Sequence, residues 1–486
     1  MLIGGSPLRI LRLTAAGARA LDALAGGAPV GEAPTSQWLA RRLLDTGFAH
    51  PRPPAASFTV SVVIPVRDRP EGLAATLGAP LGAHGVGRVV VVDDGSVGAE
   101  TSQVASSAGA IVIRHQDRHG PGAARNTGAR ATDSEIVAFV DADCVPGAGW
   151  LDALLPHFSD ERVGAVAPRV VAGGEAGGKS GGEAGEKWGG KAGEKRGRMS
   201  GGEAGREAGG KTGAPEWLLE YERLRSPLDR GPVESPVRPR GRVPFVPAAA
   251  LLVRRAALDD VGGFEEDVFV GEDVDFVWRL VSAGWTVRYE PAVTVVHPAR
   301  QDAAAWLRQR YGYGTSAAPL AAHHDGAVAP LTVSAWSALA WGLAAVRRPV
   351  AGAAVGLGTT VLLARRLRSL EHPMAEAFAL GGTGNLAAGR LCADAVRRTW
   401  WPIALVAGLL WRRPRPGLFA AFVIPPLVDW ARERPSIGAA QWLLARLADD
   451  MAYGAGVWAG AIRARSAAAL KPDLSNWPGR RAAVET

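Results

Sequence analysis

Four short segments run apolar from end to end, without the alternation of a half-buried strand: "FTVSVVIPV" (58–66), "GRVVVVDDGS" (87–96), "GAIVIRH" (109–115) and "SEIVAFVDADCV" (134–145). Helix-like stretches, "GLAATLGAPL" and the glycine-entered "GPGAARNTGARAT", separate them. Strands that are apolar on both faces and separated by helices indicate a parallel sheet covered on both sides. Such sheets bind ligands beyond the carboxyl ends of their strands. Two of these four strands end in paired acids, Asp93–Asp94 and Asp141-Ala142-Asp143.

The 486 residues leave room for two or three domains. Residues 1–56 read as a small helical or winged-helix unit. "LTAAGARALDALAGG" has helical spacing and a glycine stop, and "SQWLARRLLDTGFAHPRP" repeats the design with Ser36 as N-cap and Gly47 as stop. Residues 57–327 carry the sheet. Within them, 173–214 repeats G-G-E-A-G-x-K with almost nothing to bury, and reads as a disordered surface insertion. "RVPFVPAAALLVRRAALDDVGGF" reads as a strand, a helix and a turn, and "WTVRYEPAVTVVHP" as a strand pair ending at His297. Residues 328–486 turn apolar again. "VAPLTVSAWSALAWGLAAV" is uncharged, and the later apolar stretches are flanked by arginine and tryptophan. A bilayer span needs ~20 residues, so spanning and interfacial helices are both compatible with this membrane-associated helical region.

The net charge is +8, with arginines gathered in the last third. That pattern suits an anionic membrane surface or anionic substrates. No basic–aromatic interleaving, helix-turn-helix or zinc-finger spacing supports a nucleic-acid partner. Two cysteines, Cys144 and Cys392, offer neither a metal framework nor a disulfide pattern, so reduced thiols and a cytoplasmic catalytic domain are expected. The first residues lack the apolar stretch of a secretory signal.

The chemistry gathers at the strand ends. Pro65 stops strand pairing and opens a pocket lined by Arg67 and Asp68. Asp93 and Asp94 can accept from the imide N–H of a uracil. Gly120 and Gly122 precede a helix whose N-terminus favours an anion, with Arg125 in its first turns. Asp141 and Asp143, at i and i+2 on extended backbone, point the same way. Their repulsion is relieved by a hard divalent cation, Mg2+ or Mn2+, that would neutralise a diphosphate leaving group. His297 is a further candidate ligand. In "FVGEDVDFVWRL", a helix from Glu272 puts Asp273 on the face of Phe276, Val277 and Leu280. There it is partly desolvated, as suits a base. Glu272 favours the helix dipole and can orient an acceptor, and Asp275 forms a solvated pair with Arg279. Trp278 and the segment "WLRQRYGYG", with Arg310 and Tyr311, are candidates for acceptor contact.

The ordered set Pro65, Asp93–Asp94, Arg125, Asp141-Ala-Asp143 and Glu272–Asp273 resembles family 2 glycosyltransferases with the GT-A fold, over residues 58 to 320. The resemblance implies a Rossmann-like, mostly parallel α/β sheet. It implies a UDP-sugar site from Pro65, Val66, Arg67, Asp93, Asp94, Arg125 and Asp141. It further implies a metal held by Asp141 and Asp143, and Asp273 as general base beside Glu272. "RSPLDRGP", "VPAAALLVRR", "VGEDVDFVWRL", "WTVRYEP" and "YGYGTSAAPLAAHH" are similar, more closely, to the mycofactocin biosynthesis glycosyltransferases. That likeness implies transfer of β-linked glucose from UDP-glucose to the peptide-derived redox cofactor precursor premycofactocin, with Mn2+ or Mg2+. The small N-terminal unit resembles peptide-recognition domains. The arginine-flanked apolar region and the reduced cysteines together place the protein at the cell membrane with its catalytic domain cytoplasmic. "RQRY" stands where processive members carry Q-x-x-R-W, so processivity is not implied. The alternative is a membrane-associated family 2 enzyme making a polysaccharide or glycolipid. A nucleotidyltransferase would share the acids but not need the "GED" helix.

Overall fold

The computed structural model describes residues 2–6, 9–81, 86–173, 215–300, 302–368 and 370–475, so the insertion expected at 173–214 falls outside the described residues but for its first. At the N-terminus, β1 (Leu2–Gly4) pairs antiparallel with β2 (Arg9–Leu11). Thr14 caps α1 (Ala15–Ala25) by accepting from Gly17 N, and Gly26 closes it. α2 (Pro34–Asp45) begins two residues before Ser36, which lies inside the helix. Pro34 explains the earlier start, because its fixed φ suits a first helical position. Gly47, at φ +69°, ends the segment as its sequence suggests. This ribbon with two helices is what residues 2–45 form, and a winged-helix unit is not seen among the described residues. Arg41 anchors it, donating to Asp160 at 2.6 Å and Thr286 at 3.0 Å.

The main sheet contains β3 (Val60–Val66), β4 (Val86–Asp94), β5 (Ile111–His115), β6 (Ile136–Val140), β7 (Val145–Pro146), β8 (Val163–Gly173), β9 (Ser235–Pro236), β10 (Ala250–Arg254) and β11 (Thr286–Pro298). Its order is β5-β4-β3-β6-β10-β8-β11-β7, with β9 on β11. The first four strands are parallel, as their apolar runs indicate. The sheet as a whole is mixed rather than mostly parallel. β10 runs antiparallel between β6 and β8, and β7 and β9 run antiparallel to β11. β10 reverses because it starts at the site end, where Asp141 N donates to Ala249 O at 3.0 Å. β11 is one strand, not a pair. Its register shifts between Glu290 and Thr294, around Pro291, which has no N–H to give.

Helices α3 (Pro70–Leu77), α4 (Glu100–Ser107), α5 (Pro121–Arg130), α6 (Trp150–Leu154), α7 (Glu216–Arg225), α8 (Arg255–Asp260) and α9 (Glu272–Ser282) surround the sheet. One core joins Val62, Ile64 and Val140 to Trp150 and Phe158. A second joins Val63, Phe139 and Leu251 to Phe264, Phe276 and Leu280. Alternate residues of the same apolar strands therefore feed both layers, which is why those strands carry no polar face.

The remaining helices are α10 (Ala303–Thr315), α11 (Ala317–His323), α12 (Ala335–Ala345), α13 (Pro349–Arg366), α14 (Pro373–Arg398), α15 (Trp401–Leu410), α16 (Arg415–Glu433) and α17 (Ala439–Arg463). Among the described residues no helix is long and apolar enough to cross a membrane. The uncharged run after Val328 is cut by a short strand, β12 (Thr332–Ser334), paired with β13 (Asp473–Ser475). The rest of that run makes only α12, a helix of 11 residues. α10 and α17 cross at glycines: a Cβ at Gly314 would lie 2.0 Å from Tyr453 O, and one at Gly456 2.0 Å from Tyr311 O. Beside that crossing, Tyr221 Oη donates to Asp449 at 2.8 Å and Arg397 Nε to Asp450 at 2.5 Å. The last helices are thus bolted onto α7 and α10.

Candidate active site

A cavity of about 1320 Å³ opens at the carboxyl ends of β3, β4 and β6. Pro65, Val66 and Arg67 line one part of it. Asp94 there accepts from His119 N and Gly120 N, both at 2.8 Å, and lies 2.9 Å from the His115 ring. The other His115 nitrogen lies 3.1 Å from Thr127 Oγ1. This clamp holds the entry to α5. Gly120 sits at φ +99°, and a Cβ there would lie 2.9 Å from Phe269.

Asp93 has a different position from the one its sequence suggests. It is fully buried and is not among the cavity-lining residues. It accepts from Ser102 Oγ at 2.6 Å and Ser96 N at 3.0 Å. Burial pushes its carboxyl up, but the bonds from Ser102 and Ser96 outweigh it and hold it low. Asp93 shapes the loop after β4, and Asp94 faces the cavity.

Arg125, only 4% exposed, donates to Asp141 at 2.7 Å and to Glu272 at 2.9 Å. Burial opposes its charge, yet Asp141 and Glu272 together raise its pKa. Glu272 and Asp273 open α9, with Gly271 at φ +85° as N-cap. Burial raises both carboxyls. The neighbouring Asp273 adds to the rise at Glu272, and Arg125 pulls both the other way. Asp273 is half-buried, accepts from Val274 N at 2.8 Å and faces the cavity. Asp275 departs from its expected solvated pairing: it is 1% exposed. It accepts from Arg279 Nε at 2.7 Å and lies 2.9 Å from His324 Nε2. Burial pushes it up, but Arg279 and His324 win and its pKa is lowered. It locks α9 to α11 behind the site.

The acceptor candidates separate. Trp278 lines the cavity with its Nε1 donating to Pro244 O at 2.7 Å. Arg310 also lines it, but its guanidinium is taken up by ion pairs to Glu222 and, at 2.9 Å, Asp449. Tyr311 is 40% exposed and is not a lining residue. Tyr313 lines the cavity instead, its hydroxyl pushed up to about 12 by burial. Its i+3 spacing from Arg310 would have placed it on the same helix face. Arg69, Arg230 and Arg398 also line the cavity; none is a candidate from the sequence, although Arg230 lies within "RSPLDRGP".

Asp141, Asp143 and His297 suit a borderline divalent cation by donor type. Asp143 pairs with Arg69, and its Oδ1 lies 3.6 Å from His297 Nε2. Two arginines thus neutralise the two aspartates, which is the charge a cation would supply. Asp94, His115 and His119 bring donor atoms within 4.8 Å of one another. Both ring nitrogens of His115 are already engaged, by Asp94 and Thr127, so this group serves as a hydrogen-bond clamp.

The family model "Glycosyl transferase family 2" matches residues 61–210, and "Glycosyl transferase family group 2" matches 233–424. The pre-mycofactocin glycosyltransferase of Mycobacterium tuberculosis is 38% identical over 97% of this chain and 94% of its own length. Glycosyltransferase AglE of Haloferax volcanii is 25% identical over 50% of this chain and 67% of its own. A mannosyltransferase from Pyrobaculum calidifontis, solved with GDP-mannose and Mn2+, superposes at TM-score 0.42 and 18% identity, over 89% of this chain and 98% of its own. That last likeness is too low to carry weight. The identity along nearly the full length is decisive: the chain belongs to glycosyltransferase family 2, among the glycosyltransferases of mycofactocin biosynthesis.

Proposed function

We propose that this enzyme is an inverting hexosyltransferase that moves glucose from UDP-glucose onto premycofactocin, giving a β-linked product. The observation that carries the reading is Asp273. It is a half-buried carboxylate of raised pKa, at a helix start, on the wall of the cavity that also holds Asp94 and Asp141. In this reading Asp94 accepts from the uracil imide, and Pro65 and Val66 bound the base. Asp141 and Asp143, with His297, would hold Mn2+ or Mg2+, whose charge would offset that of a diphosphate leaving group. Asp273 accepts the proton of the acceptor hydroxyl as that oxygen attacks the anomeric carbon opposite UDP. Glu272, tied to Arg125, keeps the start of α9 aligned with the donor half of the cavity.

The test is incubation with a panel of UDP-sugars and premycofactocin, read by mass spectrometry. One hexose added from UDP-glucose alone supports the reading. Transfer only to a polyprenyl phosphate would replace it with the glycolipid alternative.

We also infer that the enzyme lies on a membrane surface. Val350, Leu409, Leu410 and Trp411 are all more than half exposed, beside the exposed Arg347, Arg348, Arg412, Arg413 and Arg415. The α12–α13 and α15–α16 turns meet, because a Cβ at Gly417 would lie 2.9 Å from Ala345 Cα. An apolar tip ringed by arginine suits the interface of an anionic bilayer.

A further inference from the structure

Arg310 is closed to a substrate by its ion pairs, but the group it orients is not. Glu222 and, at 2.9 Å, Asp449 take its Nη2 and Nε. Its Nη1 donates to Gln309 Oε1 at 3.1 Å. With its oxygen committed to a cation, the Gln309 amide can turn only its NH2 toward the next turn of α10. There Gln309 Nε2 donates to Tyr313 Oη at 3.1 Å. The direction of this relay is set by charge. Two buried acids fix the guanidinium, the guanidinium fixes the amide, and the amide occupies a lone pair of the phenol oxygen.

A tyrosine hydroxyl has one proton to give. With Gln309 donating to the oxygen, that proton points away from Gln309. Among the described residues no group accepts it. Tyr313 is half-buried on the cavity wall, so the partner still to be supplied is a ligand. Burial pushes the hydroxyl up to about 12, so the proton is present throughout the neutral range.

The hydroxyl is also held in place. At the next residue α10 is seated on α17, where a Cβ at Gly314 would lie 2.0 Å from Tyr453 O. Ser316 Oγ donates to Tyr313 O at 2.8 Å. Ser316 in turn abuts the N-cap of α9, where a Cβ at Gly271 would lie 2.9 Å from Ser316 Cβ. Gly271 directly precedes Glu272 and Asp273, so Tyr313 and the base stand on two helices braced against each other. Trp278, Ala317 and Leu320 add apolar lining to the cavity. One fixed neutral donor in such lining suits an uncharged oxygen.

We propose that Tyr313 determines acceptor specificity, donating its hydroxyl proton to an uncharged oxygen, a hydroxyl or a carbonyl, of the molecule that receives the sugar. Gln309 and Arg310 act through it as positioning residues. The proposal rests on the glycosyl-transfer reading above. It gives the base Asp273 a partner that sets how the acceptor lies when its hydroxyl is deprotonated.

The experiment uses the full chain, with UDP-glucose and premycofactocin, read as initial rates and as calorimetric titration of the acceptor into UDP-saturated enzyme. Tyr313→Phe keeps the ring and its packing. It should raise the acceptor Kd and KM about three- to tenfold, the worth of one neutral hydrogen bond, with the UDP-glucose KM unchanged. Gln309 does not line the cavity, so it tests the relay without touching a ligand. Gln309→Glu keeps the shape but puts a second oxygen where the NH2 was. That carboxylate would accept the Tyr313 proton and turn it from the cavity, so the loss should match that of Tyr313→Phe. The double variant should then lose no more than either alone, which a merely structural role would not produce. A melting curve accompanies each variant. Unchanged acceptor affinity in Tyr313→Phe overturns the contact, and a raised UDP-glucose KM in its place would assign the hydroxyl to the donor hexose. Additive losses in the double variant would remove Gln309 from the relay. No transfer by the wild type would sink the glycosyl-transfer reading, whereas transfer with unaltered variants sinks only the role of Tyr313.

Discussion

Arg125 and Glu272 meet at 2.9 Å although 147 residues of chain separate them. The same guanidinium holds Asp141 at 2.7 Å, so one side chain joins α5, the end of β6 and the start of α9. A buried cation between two carboxylates costs about 3–5 kcal/mol when one partner is deleted, because the charges left behind are uncompensated.

Arg125→Gln should therefore lower the thermal midpoint clearly and abolish UDP binding in calorimetry. Arg125→Lys keeps the charge but cannot reach both carboxylates with a planar fork, so it should fall between. A wild-type melting curve for Arg125→Gln would show that the bridge holds nothing together.

Asp273→Asn should cut turnover by ~10²–10⁴-fold, the usual worth of a positioned general base, while UDP still binds. The pH profile gives a second reading. Burial raises the Asp273 pKa, so the base is lost as pH falls through a value above the ordinary aspartate range. The acid limb of log kcat/KM should then begin above ~3.9 with unit slope, and disappear from the residual activity of Asp273→Asn. An acid limb that persists in the variant would assign it to another group.

Asp143→Ala removes a candidate ligand without touching the Arg125 bridge. It should abolish the Mn2+-dependent part of UDP binding, and chelation of the wild type should stop transfer until Mn2+ or Mg2+ is restored. Mn2+-enhanced UDP binding that survives in Asp143→Ala would move the cation elsewhere.

The parallel half of the sheet and most of the site were legible because they depend on local pattern. Apolar runs mark doubly covered strands, and acids at their ends mark the ligand side. Relations set by distant chain were not legible. β10 reads as any apolar strand, and only its entry from beside Asp141 makes it antiparallel. Asp93 and Asp94 are adjacent and alike, but the turn through Gly95 sends one into Ser96 and Ser102 and the other into the cavity. Asp275 has Arg279 four residues on, the mark of a surface pair, yet His324 and α11 cover it. Arg310 is claimed by Glu222, 88 residues earlier. In the last third, hydropathy overstates helix length. The arginine flanks do border the apolar stretches, but the longest run is broken by β12 and the turn at Val346.

Gly456→Val tests whether the last helices belong to the catalytic body. Its Cβ would lie 2.0 Å from Tyr311 O, so α17 must move off α10. Overpacking of this kind costs ~1–3 kcal/mol or more. Because Tyr453 and Arg446 of α17 line the cavity, the acceptor KM should rise along with the loss of stability. A destabilised variant with an unchanged acceptor KM would confine α17 to scaffolding.

The membrane reading is checked at the arginine-ringed tip. Full-length protein should sediment with vesicles containing anionic lipid and much less with neutral vesicles, and raised salt should weaken the interaction. Each basic residue near such a surface contributes ~1 kcal/mol, so replacing Arg412 and Arg413 with Gln should reduce binding at least tenfold. Trp411→Ala should weaken the part that salt does not remove, since that part comes from apolar burial. None of these residues lines the cavity, so UDP-glucose hydrolysis in detergent-free solution should stay at the wild-type rate. Equal binding to neutral and anionic vesicles would leave the arginines without a lipid role, and no binding to either would assign the exposed apolar tip to a protein partner.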